Sequence, residues 1–96
     1  MLPSPEVPHT TRDKQKLIAR VRRISGQLRA VENALHDEQE SSSVMQLIAS
    51  CRGALNGLMS EVIEGHMNEH VADEKNIKKR KIAADELLEA LKTYLL

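Results

Sequence analysis

The chain has 96 residues, a formal net charge of zero, no Trp or Phe, and Tyr94 as its single aromatic residue. This length limits it to one domain, whose core must come from Leu, Ile, Val, Met and Ala and is small enough that we expect association. The lone Cys51 excludes an internal disulfide, and with neither a membrane-spanning apolar run nor a signal peptide at its start the chain is expected to be cytoplasmic.

All three prolines lie near the start of the chain, and we predict a flexible N-terminal arm over residues 1–10. The remainder, residues 11–96, is predicted to form one helical domain. Thr10 or Thr11 can cap its first helix, which we predict over about residues 11–36. Apolar residues recur along this helix in steps of four and three, which is typical of packing along one seam: Leu17, Val21, Ile24, Leu28, Val31 and Leu35.

The zero net charge conceals a local asymmetry. Seven basic residues and one acid lie between Arg12 and Arg29, whereas residues 32–40 carry four acids and no Lys or Arg. Beside the apolar seam runs a basic stripe about 22 Å long, made of Arg12, Lys16, Arg20, Arg23 and Gln27. Its length spans several phosphates of a duplex, so it predicts binding to double-stranded DNA through backbone charge and groove shape. A solvated helix face is the alternative.

A short acidic connection, residues 36–40, leads to a second helix that we predict over about residues 42–71. Ser41, Ser42 and Ser43 each offer a possible N-cap. A second seam repeats the steps of the first and is widened on one side, so this helix should contact more than one neighbour. The seam consists of Val44, Ile48, Cys51, Leu55, Leu58 and Val62, and the residues that widen it are Leu47, Met59 and Ile63.

Four residues inside the second helix each lead to a prediction of their own. Arg52 needs an anionic partner, which is either a DNA phosphate or an acid of the same bundle. Gly53 and Gly57 each cost about 1 kcal/mol relative to Ala in a helix, so their presence predicts a close helix crossing. Cys51 lies in the apolar seam, where a cysteine is typically a small core residue.

His66 and His70 lie one helical turn apart near the end of the second helix, on the side that carries Met59 and Ile63. Two imidazoles at this spacing project from one face and can hold one metal ion. The pattern therefore predicts a metal site at the end of a packing face. Two solvated histidines are the alternative.

The last part of the chain begins with a strongly basic segment, residues 75–81, which is either a linker or the start of a third helix. That helix is predicted over about residues 79–95, with an apolar face formed by Ile82, Leu87, Leu88, Leu91 and Leu95. No strand pattern occurs. We therefore predict an all-α protomer of three helices with a long antiparallel helix hairpin, which dimerises into a four-helix-bundle-like dimer.

Two groups of residues resemble the CsoR/RcnR family of bacterial metal-sensing repressors, over about residues 9–71 without a gap. The first is His9-Thr10-Thr11-Arg12-Asp13-Lys14-Gln15-Lys16-Leu17 with Arg20, Ile24 and Gly26-Gln27. The second is Arg52-Gly53-Ala54 with Asn56-Gly57-Leu58-Met59, Glu61-Val62 and His66. The nearest branch resembles the nickel- and cobalt-responsive RcnR. The resemblance implies a homotetramer, a dimer of dimers, that represses metal efflux or detoxification genes and leaves DNA when its effector binds.

The resemblance also implies an effector site. It places metal ligands at His9, His66 and His70, and at Ser41, where the family has a cysteine. The arm and the start of the second helix would come from one protomer and the histidine pair from the other. Serine is a weaker ligand than thiolate and disfavours Cu(I), so the expected effector is Ni(II) or Co(II), with Zn(II) as a further candidate.

Other functions remain as alternatives. Formaldehyde-sensing members of the family use the missing cysteine as a nucleophile and have a proline after the initiator Met, where this chain has Leu2. A repressor without a metal response, or a helical interaction module without an effector, would also fit the pattern. An enzyme is not expected, because the sequence offers no plausible nucleophile and base pair and no phosphate-binding loop.

Overall fold

A computed structural model describes residues 13–95 of the chain. Three α-helices follow one another: α1 over Lys14–His36, α2 over Ser41–His66 and α3 over Ile77–Leu95. A π-helical segment, Met67–Ala72, continues from the end of α2; it is called the π turn below. Residues 13–95 contain no strand, which confirms the all-α class and the three helices. None of the three helices is both long and apolar enough to cross a membrane.

The helix α1 ends at His36 as predicted and begins at Lys14, after a turn at Asp13. Its proposed caps, Thr10 and Thr11, lie outside the described residues, as does the whole of the predicted arm, residues 1–10. The apolar seam of α1 divides into two sets, and within each set the residues recur every seven positions. Ile24 is buried, with Leu17 and Val31 partly buried. The other set remains largely in solvent, with exposed fractions of 48% for Val21, 54% for Leu28 and 61% for Leu35.

The chain reverses between α1 and α2 through a Schellman motif. Glu38 adopts a positive φ of 54°, the left-handed conformation that ends many helices. The Gln39 amide donates to the Ala34 carbonyl over 3.0 Å, and the Glu38 amide donates to the Leu35 carbonyl over 3.2 Å. These two bonds satisfy carbonyls at the end of α1 and turn the backbone towards α2.

The helix α2 begins one residue before the predicted position. The Glu40 carbonyl accepts hydrogen bonds from the amides of Ser43 and Val44, over 3.0 and 3.2 Å. Glu40 thus precedes the helix, and Ser41, Ser42 and Ser43 form its first turn. A serine at the cap position was predicted and is not what the structure has.

Residues 14–60 form one compact unit, the N-terminal unit, made of α1 and most of α2. The Arg20 side chain lies over Gly57, so the start of α1 is beside the later part of α2 and the two helices form the predicted antiparallel hairpin. A Cβ atom on Gly57 would lie 2.8 Å from Nη1 of Arg20, whereas one on Gly53 would meet no atom within 4 Å. The predicted close helix crossing at these glycines is not found within residues 13–95. Gly57 makes room for the Arg20 side chain, and no atom of another element lies near Gly53.

Residues 61–95 belong to a second compact unit, the C-terminal unit, which contains the end of α2, the π turn and α3. The helix α3 packs against the π turn and buries Ala83 and Leu87. It begins two residues before the predicted start, because Asn76 caps it. The Oδ1 atom of Asn76 accepts a hydrogen bond of 3.1 Å from the Lys79 amide, which satisfies one of the free N–H groups of the first turn.

The π turn extends the helical path to Ala72, close to the predicted end at residue 71. Its backbone is wider than an α-helix, because the Asp73 amide donates to the Asn68 carbonyl, five residues earlier, over 3.0 Å. Single π-helical turns are frequent at functional sites. Here the turn carries His70.

Candidate functional site

His66 and His70 face each other at the junction of α2 and the π turn. Their ring centroids are 5.1 Å apart and their planes are inclined by 51°. An ion held about 2.1 Å from one nitrogen of each ring leaves the centroids about 4.5 to 5.2 Å apart. The spacing therefore suits two imidazoles that share one metal ion. Both side chains are partly buried, so the pair is not a solvated helix end.

His66 is also bound to α3. Its Nε2 atom lies 2.9 Å from the carbonyl oxygen of Ala83. Because a carbonyl oxygen can only accept, Nε2 carries the proton, and Nδ1 keeps its lone pair in the neutral imidazole. A histidine that binds metal through one nitrogen and donates from the other to a carbonyl is the usual arrangement of a metal ligand. The hydrogen bond thus orients the ring and leaves Nδ1 as the nitrogen whose lone pair can bind a ligand.

A cavity of about 320 Å³ opens beside the two imidazoles. It is lined by His66, His70, Lys79, Ile82, Ala83 and Glu86. Residues 13–95 contain no group of three or more His, Cys, Asp or Glu side chains placed to hold one ion. The described donor set is therefore two imidazoles. These fit a borderline metal such as Ni(II), Co(II) or Zn(II), which needs four or more ligands, so further donors must come from elsewhere.

The other predicted ligands are distributed as follows. His9 lies outside the described residues. Ser41 is the exposed first residue of α2, so its side chain is accessible to solvent. Cys51 is buried, with 4% of its surface exposed, and it belongs to the N-terminal unit, which confirms its interpretation as a small core residue.

The described residues of the basic stripe do not share one environment. Lys16 and Arg23 are exposed, whereas Arg20 and Gln27 are partly buried. The Arg20 guanidinium lies against Gly57, so this cation is positioned by the hairpin itself. Arg12 lies outside the described residues.

Arg52 is exposed on α2. Within residues 13–95 it forms no ion pair with an acid, so the predicted partner within the same bundle is not found there. Its guanidinium is available to an anion from outside the chain.

The comparison with known proteins decides the family. A profile of the family described as metal-sensitive transcriptional repressor matches residues 13–93. The chain belongs to this family. Its members are regulators of transcription, which confirms that an enzyme was not to be expected, and their activity implies that the chain binds DNA and responds to a metal.

Individual relatives of the family align over most of the chain. The transcriptional repressor RcnR of Salmonella typhimurium is 45% identical over 87 residues, which cover 91% of this chain and 97% of the relative. RcnR of Escherichia coli O9:H4 is 46% identical over the same shares of the two chains. An uncharacterised protein from the bioA 5' region of Serratia marcescens is 48% identical over 88 residues, covering 91% of this chain and 97% of that one. The chain is thus a metal-sensitive repressor of the RcnR type.

A solved structure of the family confirms the fold. A variant of the formaldehyde-responsive regulator FrmR from Salmonella enterica serovar Typhimurium superposes with a TM-score of 0.80. It is 41% identical and the match covers 91% of this chain and 99% of that one.

Two side chains near the histidines were missed by sequence reasoning. Lys79 and Glu86 line the same cavity, together with Ala83. On α3 the three residues follow one another at spacings of four and three, which places them on one face. That signal is visible in the sequence, but it indicates a site only once α3 is known to pack against the π turn.

Proposed function

We propose that the chain is a repressor that holds operator DNA without metal and releases it when Ni(II) or Co(II) binds, so controlling metal efflux or detoxification genes. The observation that carries this proposal is the His66–His70 pair, with rings 5.1 Å apart and Nδ1 of His66 left for a metal. Nitrogen donors of this kind suit nickel, cobalt and zinc better than Cu(I). The similarity to relatives named RcnR supports the choice of nickel or cobalt.

The complete metal site is proposed to contain His9, Ser41, His66 and His70 and to join two protomers. The length of α2 supports this. The helix has 26 residues, which makes it about 39 Å long, with Ser41 as its first residue and His66 as its last. Ligands at opposite ends of one helix can meet at one ion only if they come from different chains. The bound ion would supply a doubly charged link between the protomers.

A homotetramer, a dimer of dimers, provides the required neighbours. The N-terminal unit exposes large apolar residues at 48–65% of their surface on both helices: Val21, Leu28 and Leu35 on α1, and Met45, Ile48 and Leu55 on α2. Apolar surface of this extent is typical of a protein interface. Association would remove it from water and bring the ends of different α2 helices together.

The basic stripe and Arg52 are proposed as the DNA-binding surface, through Arg12, Lys16, Arg20, Arg23, Gln27 and Arg52. Phosphates would be contacted by the exposed cations, whereas the Arg20 guanidinium lies against Gly57 within the hairpin. Coordination would favour the tetramer conformation in which these surfaces no longer match the duplex. Such coupling needs a metal affinity that differs between the two conformations by about 1–3 kcal/mol.

A formaldehyde-responsive repressor is the second candidate, since the structural neighbour carries that description. A formaldehyde response is expected to need a cysteine and a proline at two positions where this chain has Ser41 and Leu2. The candidate therefore lacks its nucleophile, and the metal response is favoured.

A DNA-binding titration at fixed salt, with and without Ni(II), Co(II), Zn(II) and formaldehyde, tests the proposal. We expect tight binding without effector and release by nickel or cobalt. Formaldehyde should leave the complex intact. Release by formaldehyde, or no release by any metal, would reject the proposed effector.

The DNA surface is tested by the salt dependence of binding. Arg23→Ala and Arg52→Ala should each lower the slope of log affinity against log salt by about 0.9, because each removes one phosphate contact. Arg29→Ala, which removes an exposed cation of α1 outside the stripe, is the matched control. If all three variants kept the slope of the original protein, the assignment of the stripe would be wrong.

A further inference from the structure

The start of α3 carries a dense group of positive charges that the proposed function does not use. Lys75, Lys78, Lys79, Arg80 and Lys81, called the basic run, are all exposed. None of these side chains forms an ion pair or hydrogen bond with another residue of the described range. By contrast, Lys92 near the end of the same helix is paired with Glu89 over 3.4 Å.

The positive charges of the basic run repel one another and lie at the positive end of the α3 dipole. Lys78 and Lys81 are three residues apart on one face, where like charges repel. The first turn of α3 contains no acid, and the positive end of the helix dipole lies there as well. Asn76 caps the helix with a neutral amide. The Glu74 carboxylate, which accepts a hydrogen bond of 3.1 Å from the Asn76 amide, is one negative charge bound beside five positive ones. A polyanion would remove this repulsion.

The chemistry of the basic run favours a duplex over other polyanions. No aromatic residue lies among its cations, and the chain has a single Tyr elsewhere, so bases of a single strand have no stacking platform. Lys78 and Lys81 lie on one face of α3, and the long side chains of Lys75 and Arg80 lie close to them in the sequence. Together these cations can reach several neighbouring phosphates of a double helix. We propose that the basic run is a second phosphate-binding surface for double-stranded DNA, on a helix other than those of the basic stripe.

This inference rests on the proposed function, because a DNA-binding repressor brings a duplex to its surface. It adds a contact that the family match does not describe. Lys79 lines the cavity beside His66 and His70, so one member of the run also adjoins the candidate metal site. The test therefore leaves Lys79 unchanged.

The test compares the protein with the triple variant Lys78→Gln, Arg80→Gln, Lys81→Gln. Its control is Lys92→Gln, which removes a cation from the other end of α3. We expect the slope of log affinity against log salt to fall by about 2 to 3 in the triple variant, since each lost phosphate contact changes it by about 0.9. The control should keep the original slope. Circular dichroism and nickel stoichiometry should be the same in all proteins.

Two further measurements distinguish a failure of this inference from a failure of the proposed function. Arg23→Ala reports the basic stripe: if it lowers the slope while the triple variant does not, the basic run is not a DNA surface and the proposed function stands. If the unaltered protein binds no duplex at all, the proposed function fails and the inference with it. Vesicles of phosphatidylserine and phosphatidylcholine test the rival partner, because Ile77 beside the run is 78% exposed. Vesicle binding that the triple variant loses, with an unchanged DNA slope, would overturn the inference in favour of a membrane.

Discussion

The two compact units differ in how regular they are. Residues 14–60 consist of two long helices with apolar residues in steps of three and four, and half of the α1 seam faces solvent. Residues 61–95 contain a π turn, a histidine bound to a backbone carbonyl and a cavity. The N-terminal unit, called the periodic unit here, is thus suited to packing against copies of itself. The C-terminal unit, called the irregular unit, is suited to holding a ligand. Changes in the two units should therefore have different consequences.

The largest effect is expected in the irregular unit. His66→Ala or His70→Ala should lower the nickel affinity by more than about 100-fold, since loss of even an outer-shell partner costs about 10- to 100-fold. Isothermal titration calorimetry measures the affinity. His36→Ala, which removes an exposed histidine at the end of α1, is the matched control. DNA binding without metal should be unchanged in all three proteins; equal nickel affinities would remove the histidine pair from the site.

The periodic unit should respond through its assembly. Leu28→Glu places a charge on the exposed seam of α1, and burial of an unpaired charge between protomers is strongly unfavourable. Sedimentation should show the unaltered protein near four times its chain mass of 10.8 kDa and the variant at a lower mass. Ser25→Glu, an exposed site of α1 outside the seam, should keep the larger species. If Leu28→Glu also kept the mass of the tetramer, the exposed seam of α1 would not be an interface.

A gain of function is expected at the start of α2. Ser41→Cys supplies a thiolate where the family has a cysteine, and it should raise the affinity for Ni(II) or Co(II) by about tenfold or more, which corresponds to about 1.4 kcal/mol. A thiolate-to-metal absorption band should appear with it. Ser42→Cys provides the comparison, one residue away. Absence of both changes would exclude position 41 from the metal site.

The smallest effect concerns the cap of α3. Asn76→Ala removes the hydrogen bond to the Lys79 amide and should lower the free energy of unfolding by about 1 kcal/mol. Urea denaturation measures this loss. Asn33→Ala, at an exposed site inside α1, should change stability by less. An unaltered midpoint in Asn76→Ala would mean that the cap does not stabilise the C-terminal unit.

The sequence predicts the periodic unit better than the irregular one, for a physical reason. Steps of three and four locate α1 and α2, because one helical face must be apolar wherever it packs. The end of α1 at His36 follows from the acidic, seam-free residues after it. Which half of the seam turns inward does not follow, because Ile24 and Leu28 are equally apolar and only the partner helix distinguishes them.

The irregular unit depends on contacts that no local pattern records. The i, i+4 spacing of His66 and His70 predicts the pair, but not the π turn that carries His70. The start of α3 was missed because Asn76 resembles any other loop residue until its side chain is seen to bind an amide. The family resemblance suggested the remaining ligands, and Ser41 and His9 stay predictions.

The hydrogen bond between His66 and Ala83 has a consequence for the entropy of metal capture. A ring held by a carbonyl has lost its rotamer freedom on folding, so that loss is not repeated when an ion arrives. His66 is in this sense preorganised by α3. Its imidazole N–H should give a slowly exchanging proton signal in NMR spectra of the metal-free protein, and diamagnetic Zn(II) should shift the ¹⁵N signal of Nδ1 more than that of Nε2.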